Sequence, residues 1–274
     1  MLFVETRHAV DPETAKQFDT QHLRKNFCLS GMFARGDIRL TYTHYDRLIA
    51  GGAVPDGKDL VLAKVAETGT ESVLDRREMT IVNIGPPGSV KAGGQTYDMA
   101  SGDMLYIGMG QGEIIFSGTG RYYILSAPAH KEYPTRLVTI SDSAKVELGS
   151  EGTSNKRTIF QYVHPLVMTS CQLIVGMTKL APGSVWNTMP AHTHDRRSEI
   201  YLYFDLSENQ NVMHLMGEPK QTRHLILRNE EGAVSPPWSI HSGAGTSAYS
   251  FIWAMAGDNI DFTDMDMVAM GELE

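Results

Sequence analysis

Short runs of apolar and aromatic residues recur along most of the chain, and glycine, proline, asparagine or aspartate separates each run from the next. Runs of this length are typical of β-strands, and long stretches with helical periodicity are few. Many short strands with turn residues between them indicate an all-β sandwich or barrel. The predicted strands lie at residues 38–44, 79–84, 104–107, 113–116, 122–125, 171–180, 199–204, 212–216, 224–227 and 249–255.

Helix signals are confined to the start of the chain. Asp11 precedes Pro12 and so offers an N-cap followed by a proline at the first helical position. Asp19 can cap a second short helix that ends near Phe27. We therefore expect a few short helices beside the strands.

A loose internal repeat suggests two similar barrels in tandem. Arg76-Arg77-Glu78 leads into one strand-like run, and Arg196-Arg197-Ser198-Glu199 leads into another. A polar seam lies at about residues 130 to 155. The predicted domains are an N-terminal barrel without metal ligands at residues 1–140 and a C-terminal metal-binding barrel at residues 141–274.

Composition narrows the classes of partner. The net charge of -8 and the pI of about 5.7 do not favour nucleic acid or an anionic membrane surface as a partner. No apolar stretch approaches the roughly 20 residues of a membrane-spanning helix. The two cysteines, Cys28 and Cys171, are far apart and form no disulfide or metal-binding motif. We expect a cytoplasmic protein with a small-molecule ligand.

The segment around residue 192 carries the strongest functional signal. His192 and His194 have the i, i+2 spacing that places two side chains on one face of a strand. Glu199 has the opposite parity, but the polar residues at 195–198 can form a turn that lets the next strand return beside the first. His241 follows Pro236-Pro237 and can complete the set from a later strand.

Three imidazoles and one carboxylate are ligands that suit zinc, iron, nickel or manganese, and the ligands alone do not choose among these metals. Strand alternation predicts that Tyr201 and Tyr203 share the inward face of Glu199. The N-terminal half contains no equivalent histidine pair, so we expect it to be a scaffold, an interface or a pocket wall.

The two histidine-containing motifs resemble the conserved metal motifs of the cupin superfamily. A longer string around them resembles the signature of the 5-keto-4-deoxyuronate isomerase family. Further similar strings make the resemblance extend from about residue 19 to Asp266. The strings include Trp186-Asn187-Thr188-Met189-Pro190-Ala191-His192-Thr193-His194-Asp195-Arg196-Arg197, Asp46-Arg47-Leu48-Ile49-Ala50-Gly51-Gly52, Ser154-Asn155-Lys156-Arg157-Thr158-Ile159 and Ser239-Ile240-His241-Ser242-Gly243.

The resemblance implies a bicupin, with two tandem double-stranded β-helix (jelly-roll) barrels and one Zn²⁺ per chain. It implies an isomerase that converts 5-dehydro-4-deoxy-D-glucuronate to 3-deoxy-D-glycero-2,5-hexodiulosonate. It further implies a role in carbohydrate metabolism, in the pathway that degrades unsaturated uronates released from pectin or glycosaminoglycans. It also implies a homo-oligomer, specifically a homohexamer.

For an aldose–ketose isomerisation we expect a metal that polarises the carbonyl and a residue that moves a proton. The candidate catalytic residues are Glu199 and Tyr201, and the sequence does not identify the base. The substrate carboxylate favours an arginine contact. The candidate substrate-binding residues are Arg157, Arg197 and Tyr203, with Arg196 as a further arginine.

Two other functions fit the same motifs. The four ligands can also hold Fe(II), as in a cupin dioxygenase. A cupin that binds a sugar without catalysis is the third possibility. Oxygen consumption would distinguish the dioxygenase from the isomerase.

Overall fold

The computed structural model describes residues Met1–Glu274 and consists mainly of β-strands. Its helices are α1 Pro12–Ala15 and α2 Thr20–Phe27, with 3-10 turns at Ala66–Thr68, Glu151–Thr153 and Met270–Glu272. The first twelve strands are β1 Leu2–Arg7, β2 Cys28–Leu29, β3 Ile38–Thr43, β4 Ile49–Ala53, β5 Leu60–Leu62, β6 Arg77–Asn83, β7 Gly88–Ala92, β8 Gln95–Met99, β9 Met104–Ile107, β10 Ile114–Gly118, β11 Tyr122–Pro128 and β12 Arg136–Val138. The other twelve are β13 Ala144–Leu148, β14 Arg157–Val163, β15 Ile174–Leu180, β16 Trp186–Asn187, β17 His192–Thr193, β18 Arg197–Phe204, β19 Val212–Glu218, β20 Gln221–Leu227, β21 Glu231–Ser235, β22 Ser242–Gly245, β23 Ser250–Gly257 and β24 Asp266–Met267.

The predictions of an all-β chain with short helices are confirmed. Each of the ten predicted runs overlaps an observed strand. Both short helices begin directly after the expected N-cap residues, Asp11 and Asp19. The Asp11 carboxylate accepts a hydrogen bond from the Thr14 amide at 2.9 Å, and Asp19 accepts one from the His22 amide at 2.8 Å. None of the helices is long and apolar enough to cross a membrane.

The chain divides into two compact units, and each unit contains one seven-stranded and one four-stranded sheet. The sequence pattern predicts a single division between residues 140 and 141, whereas each unit is assembled from three segments of the chain. The first unit comprises Met1–Arg7, Gly31–Ala144 and Tyr162–Ile174, and the second comprises His8–Ser30, Lys145–Gln161 and Val175–Glu274.

In the first unit, the seven-stranded sheet has the order β1-β3-β4-β11-β6-β9-β12 and the four-stranded sheet the order β5-β10-β7-β8. Apolar side chains from both sheets form one buried core, which includes Met79 and Ile81 of the central strand β6. Glycine is required in β4, because a Cβ at Gly51 would lie 2.1 Å from the Arg39 carbonyl oxygen. Apolar side chains therefore fill the space between the two sheets of the first unit.

The buried carboxylate of Glu78 explains why the segment Tyr162–Ile174 belongs to the first unit. Glu78 is fully buried and accepts hydrogen bonds from the backbone amides of Cys171, Gln172 and Leu173, each at 2.7 Å. The Tyr106 hydroxyl donates to the same carboxylate at 2.6 Å. These bonds compensate for the removal of a charged group from water and fix the segment at this position.

In the second unit, the seven-stranded sheet has the order β13-β14-β15-β23-β18-β21-β2 and the four-stranded sheet the order β16-β22-β19-β20. A separate short pair joins β17 to β24. The helical segment near the start of the chain belongs to this unit because side chains from later in the chain bind its backbone. Arg223 donates to the Phe18 carbonyl at 3.1 Å, and the Trp238 indole donates to the Val10 carbonyl at 3.2 Å.

Candidate metal centre

The structure brings the four predicted metal ligands together inside the second unit. The Nε2 atom of His192 lies 3.1 Å from Nε2 of His194 and 3.0 Å from Nε2 of His241. An Oε2 atom of Glu199 lies 3.1 Å from His194 Nε2 and 3.0 Å from His241 Nε2. All four side chains are buried, and their donor atoms lie within 4.8 Å of one another.

Local folding accounts for this convergence. His192 lies on β17, and the Arg197 amide donates to the His194 carbonyl at 3.0 Å in the turn that leads to β18 and Glu199. Ala191 and Ile240, the residues before two of the ligands, pack with Val268 in a small buried apolar cluster. The turn and the cluster therefore hold three separate parts of the chain at fixed positions around one point.

The arrangement fits a divalent cation. The backbone carbonyl of Asp264 can only accept a hydrogen bond, so His194 Nδ1, 3.0 Å away, carries the proton and leaves the Nε2 lone pair directed into the cluster. His192 Nε2 faces two other ring nitrogens, and one proton cannot satisfy both contacts. A cation bound at the centre would satisfy the lone pairs of all three imidazoles and the carboxylate at once.

The protonation states also suit a metal. Burial, with the neighbouring His241 and His194 rings, lowers the pKa of His192 to about 2. Burial alone would raise the pKa of Glu199, but attraction to the His241 and His194 rings outweighs it and holds that pKa below its usual range. A neutral imidazole and an ionised carboxylate are the ligand forms that metal binding requires.

Three of the four residues, His192, His194 and Glu199, form part of the wall of a cavity of about 330 Å³. This volume lies in the range of small-molecule sites. Most of the remaining wall is apolar, and its polar groups come from Arg157, Thr178, Thr188 and Tyr201. The apolar wall residues are Leu148, Ile159, Met189, Pro190, Phe251, Trp253, Met255, Phe262, Met265 and Met267.

Tyr201 lies on this wall beside Glu199, as strand alternation predicts. Its hydroxyl lies 3.4 Å from the Thr188 hydroxyl. Burial and then the negative charge of Glu199 raise the pKa of Tyr201 well above its ordinary value. The phenol therefore keeps its proton at neutral pH and is suited to donate a hydrogen bond or a proton.

Arg157, the first predicted substrate-binding residue, also lies on the cavity wall. One guanidinium nitrogen donates to the Asn155 carbonyl at 2.9 Å, which orients the side chain. No other arginine or lysine lines this cavity. Arg157 is consequently the cation available to an acidic ligand there.

Arg197 and Tyr203 are placed differently from the prediction that they contact the substrate, because neither lines the cavity. The guanidinium of Arg197 is fully buried and donates to the backbone carbonyls of Asp261 at 2.6 Å and Asp264 at 2.5 Å. The Tyr203 hydroxyl lies in the interior of the second unit, away from the cavity, and contacts His214 Nδ1 at 2.8 Å. Arg196 binds the carboxylates of Asp264 and Asp266 near the surface.

The C-terminal segment 258–267 is part of the site, although no sequence motif predicts this. It supplies Phe262, Met265 and Met267 to the cavity wall and the Asp264 carbonyl to His194. A local signal does exist, since Asn259 and Asp261 each accept a hydrogen bond from a backbone amide two residues later, at 2.9 Å. Such turns mark an ordered loop, although they do not reveal what the loop covers.

A family model and several relatives of known name assign this chain to the same family. The model of the KduI/IolB family matches residues 31–270. A protein of Cereibacter sphaeroides and one of Agrobacterium fabrum, both called 4-deoxy-L-threo-5-hexosulose-uronate ketol-isomerase, are each 60% identical to this chain and aligned over 100% of both chains. A protein of Shouchella clausii with the same name is 49% identical over 99% of this chain and 100% of its own length.

Solved structures share the cupin-like fold at low sequence identity. An IolB-like protein from Salmonella typhimurium has a TM-score of 0.66 at 16% identity, covering 81% of this chain and 86% of the other. Oxalate decarboxylase from Bacillus subtilis, described with Mn(II) centres, has a TM-score of 0.54 at 10% identity, covering 78% of this chain and 70% of the other.

Proposed function

The chain belongs to the KduI/IolB family, and from that premise we propose that it is a uronate ketol-isomerase that acts on 5-dehydro-4-deoxy-D-glucuronate. The product is 3-deoxy-D-glycero-2,5-hexodiulosonate. Relatives that are 60% identical along the whole chain carry the name of this activity. The observation that carries the proposal is the buried cluster of three histidines and one glutamate on the wall of a cavity that contains one arginine.

The proposed cofactor is one Zn²⁺ per chain, held by His192, His194, Glu199 and His241. Three imidazoles and one carboxylate are typical zinc ligands. When bound, the ion supplies Lewis acidity, which makes a proton on the carbon next to a carbonyl easier to remove.

The reaction is a balanced internal rearrangement. The carbon that carries the hydroxyl loses its hydrogen, and the hydroxyl loses its proton, so that this carbon becomes the ketone. The aldehyde carbon gains one hydrogen and its oxygen gains one proton, so two hydrogens are lost and two are gained. No oxidant or reductant is consumed. The chain needs only to hold the two oxygens in place, move protons between neighbouring atoms and keep water from competing.

Four features of the cavity are assigned roles in this reaction. Arg157 binds the uronate carboxylate through charge-assisted hydrogen bonds. Tyr201, protonated at neutral pH, donates its proton to the substrate oxygen that becomes a hydroxyl. Glu199 acts as a metal ligand rather than as the base, because its pKa is held low. The apolar wall restricts water around the reacting carbons.

The experiment combines metal analysis with an NMR assay of isomerisation, on the wild type and on His194→Ala. We expect about one zinc per wild-type chain and loss of both zinc and activity in the variant. Full activity of a metal-free variant would overturn the proposal. An oxygen electrode in the same assay separates the isomerase from an Fe(II) dioxygenase, because isomerisation consumes no oxygen.

The family also suggests a pathway, a cellular compartment and an oligomeric state. We place the reaction in the cytoplasmic breakdown of unsaturated uronates from pectin or glycosaminoglycans, and we propose a homohexamer. Light scattering coupled to size-exclusion chromatography tests the oligomer.

A further inference from the structure

Arg197 is fully buried directly behind the metal ligands, yet it does not reach the cavity. Its two terminal nitrogens donate to the carbonyls of Asp261 and Asp264. One of these nitrogens also lies 3.2 Å from His194 Nδ1. A charged group in this position has lost its hydration, and the two carbonyls replace part of it. The guanidinium therefore serves a purpose other than contact with the substrate.

The Asp264 carbonyl connects this arginine to a metal ligand. It accepts one hydrogen bond from Arg197 and a second from His194 Nδ1. The position of that carbonyl fixes the orientation of the His194 ring and the direction of its Nε2 lone pair. Arg197 fixes the carbonyl in turn, since its planar fork reaches two carbonyls three residues apart.

The same contacts hold one wall of the cavity. Segment 258–267 begins where the Asp258 amide donates to the Arg196 carbonyl at 3.0 Å, and it ends in β24, which pairs with β17. Between these two ends, Phe262 and Met265 face the cavity. Within this stretch, Arg197 is the buried side chain that ties the carbonyls of residues 261 and 264 to the barrel.

The first unit offers a matched comparison. Arg77 begins the central strand β6 opposite Pro128, as Arg197 begins β18 opposite Gly257. Arg77 is also buried, and it donates to the carbonyls of Arg47 and Ser126. By this register, Glu199 corresponds to Met79, a core residue without metal chemistry. An arginine at this position thus anchors backbone in both units, and only Arg197 anchors a carbonyl bound to a metal ligand.

We propose that Arg197 is a positioning residue that couples metal affinity to the anchoring of segment 258–267. It acts through the Asp264 carbonyl on His194 and touches neither substrate nor metal. The inference rests on the metal centre proposed above but not on the identity of the substrate. Its test therefore measures metal binding and segment protection instead of turnover.

Linkage makes the coupling reciprocal. If the anchored segment raises zinc affinity by a given factor, bound zinc favours the anchored over the detached segment by the same factor. Partners of metal ligands typically change affinity by about 10- to 100-fold when they are altered. We therefore expect an effect of this size in two independent measurements.

The first measurement compares Arg197→Lys with the matched control Arg77→Lys. A lysine keeps the charge but cannot bind two separated carbonyls as a planar fork does. Competition with a chromophoric chelator should show that Arg197→Lys binds Zn²⁺ about 10- to 100-fold more weakly than wild type, while Arg77→Lys binds it as wild type does. Equal affinity in all three proteins, or equal loss in both variants, would overturn the proposal.

The second measurement uses the wild-type chain and so does not depend on a variant that folds. Amide hydrogen exchange is followed with Zn²⁺ and with EDTA, at the amides of Asp264 and Met265 inside the segment. We expect zinc to slow their exchange by about 10-fold or more. Unchanged exchange in a wild type that binds zinc would sink the coupling, whereas a wild type that binds no zinc would sink the metal centre itself.

Discussion

The Tyr201 hydroxyl is the wall group best suited to deliver a proton, because burial and Glu199 keep it protonated. We expect Tyr201→Phe to lower kcat by roughly 10²-fold, the usual contribution of a general acid or base, with zinc content unchanged. Steady-state kinetics with metal analysis check this. Tyr203→Phe is the matched control, because its hydroxyl contacts His214 away from the cavity, and it should leave kcat unchanged.

Arg157 is the cation on the cavity wall, and so its loss should affect substrate binding. We expect Arg157→Gln to raise KM by about 10- to 100-fold. This change corresponds to the loss of a hydrogen bond to a charged group, which contributes about 1.5–3 kcal/mol. The neighbouring Lys156 is paired with Glu151 at 3.0 Å near the surface, so Lys156→Gln serves as the control. A KM equal to wild type in Arg157→Gln would remove this residue from the substrate site.

The buried side chain of His214 should make the free energy of unfolding depend on pH. Burial lowers its pKa to about 3 in the folded protein from 6.5 in a model compound. Between these values the unfolded chain binds a proton that the folded chain excludes, so stability falls as pH decreases from about 6.5 towards 3. Each pH unit costs about 1.4 kcal/mol for this one group.

Urea denaturation of the metal-free protein at pH 7 and pH 5 tests this dependence. The free energy of unfolding should fall by about 2 kcal/mol through His214. In His214→Gln that share of the fall should disappear. The same pH dependence in the variant as in the wild type would show that His214 does not carry it.

At the scale of elements, β15 and β23 set the shape of the cavity through one close contact. A Cβ at Gly176 in β15 would lie 2.1 Å from the ring of Trp253 in β23, and the Trp253 indole donates to the Thr178 hydroxyl at 3.1 Å. Glycine at this position leaves room for the Trp253 ring, which forms part of the cavity wall.

Gly176→Ala should therefore displace the Trp253 ring and destabilise the protein by about 1–3 kcal/mol, as overpacking does. Tryptophan emission and urea denaturation measure the two effects. Gly271→Ala is the control, since a Cβ there meets no atom within 4 Å. If both variants match the wild type, the close contact does not constrain the wall.

The short pair of β17 and β24 shows how an element can complete a site. β17 carries His192, and β24 places Met267 opposite it. A two-residue strand has little stability of its own. It is held here because Ala191, Ile240 and Val268 pack beside it. The metal centre and the C-terminal segment are thus parts of one local structure.

At the scale of the whole molecule, the two units differ in what fills them. Apolar side chains close the interior of the first unit, whereas the second contains the ligand cluster and the cavity. Zinc should therefore stabilise the protein only through the second unit. At a free zinc concentration 100 times Kd, a single site contributes about 2.7 kcal/mol.

Thermal denaturation with Zn²⁺ or EDTA measures this contribution as a rise in Tm. His241→Ala should lose most of the response, because it removes one of the four ligands. His22→Ala should keep it, since His22 is exposed at α2 and contacts Asp19. An undiminished rise in Tm for His241→Ala would contradict the ligand assignment.

The sequence by itself determined the strand class, the helix caps and the four residues that meet at the metal centre. These features depend on local rules, namely alternation along a strand, capping chemistry and the bonding preferences of imidazole and carboxylate. Alternation also placed Tyr201 beside Glu199. A local pattern is sufficient when the physical constraint acts between residues that are near in sequence.

Only the tertiary structure decided the direction of Arg197, the depth of Tyr203 and the role of segment 258–267. It also decided that His8–Ser30 belongs with the second unit and Tyr162–Ile174 with the first. Each of these depends on hydrogen bonds between residues far apart in the chain, such as Glu78 with the amides of 171–173. Alternation along a strand identifies the face on which a side chain lies, but it does not identify the distant backbone carbonyl that accepts a hydrogen bond from it.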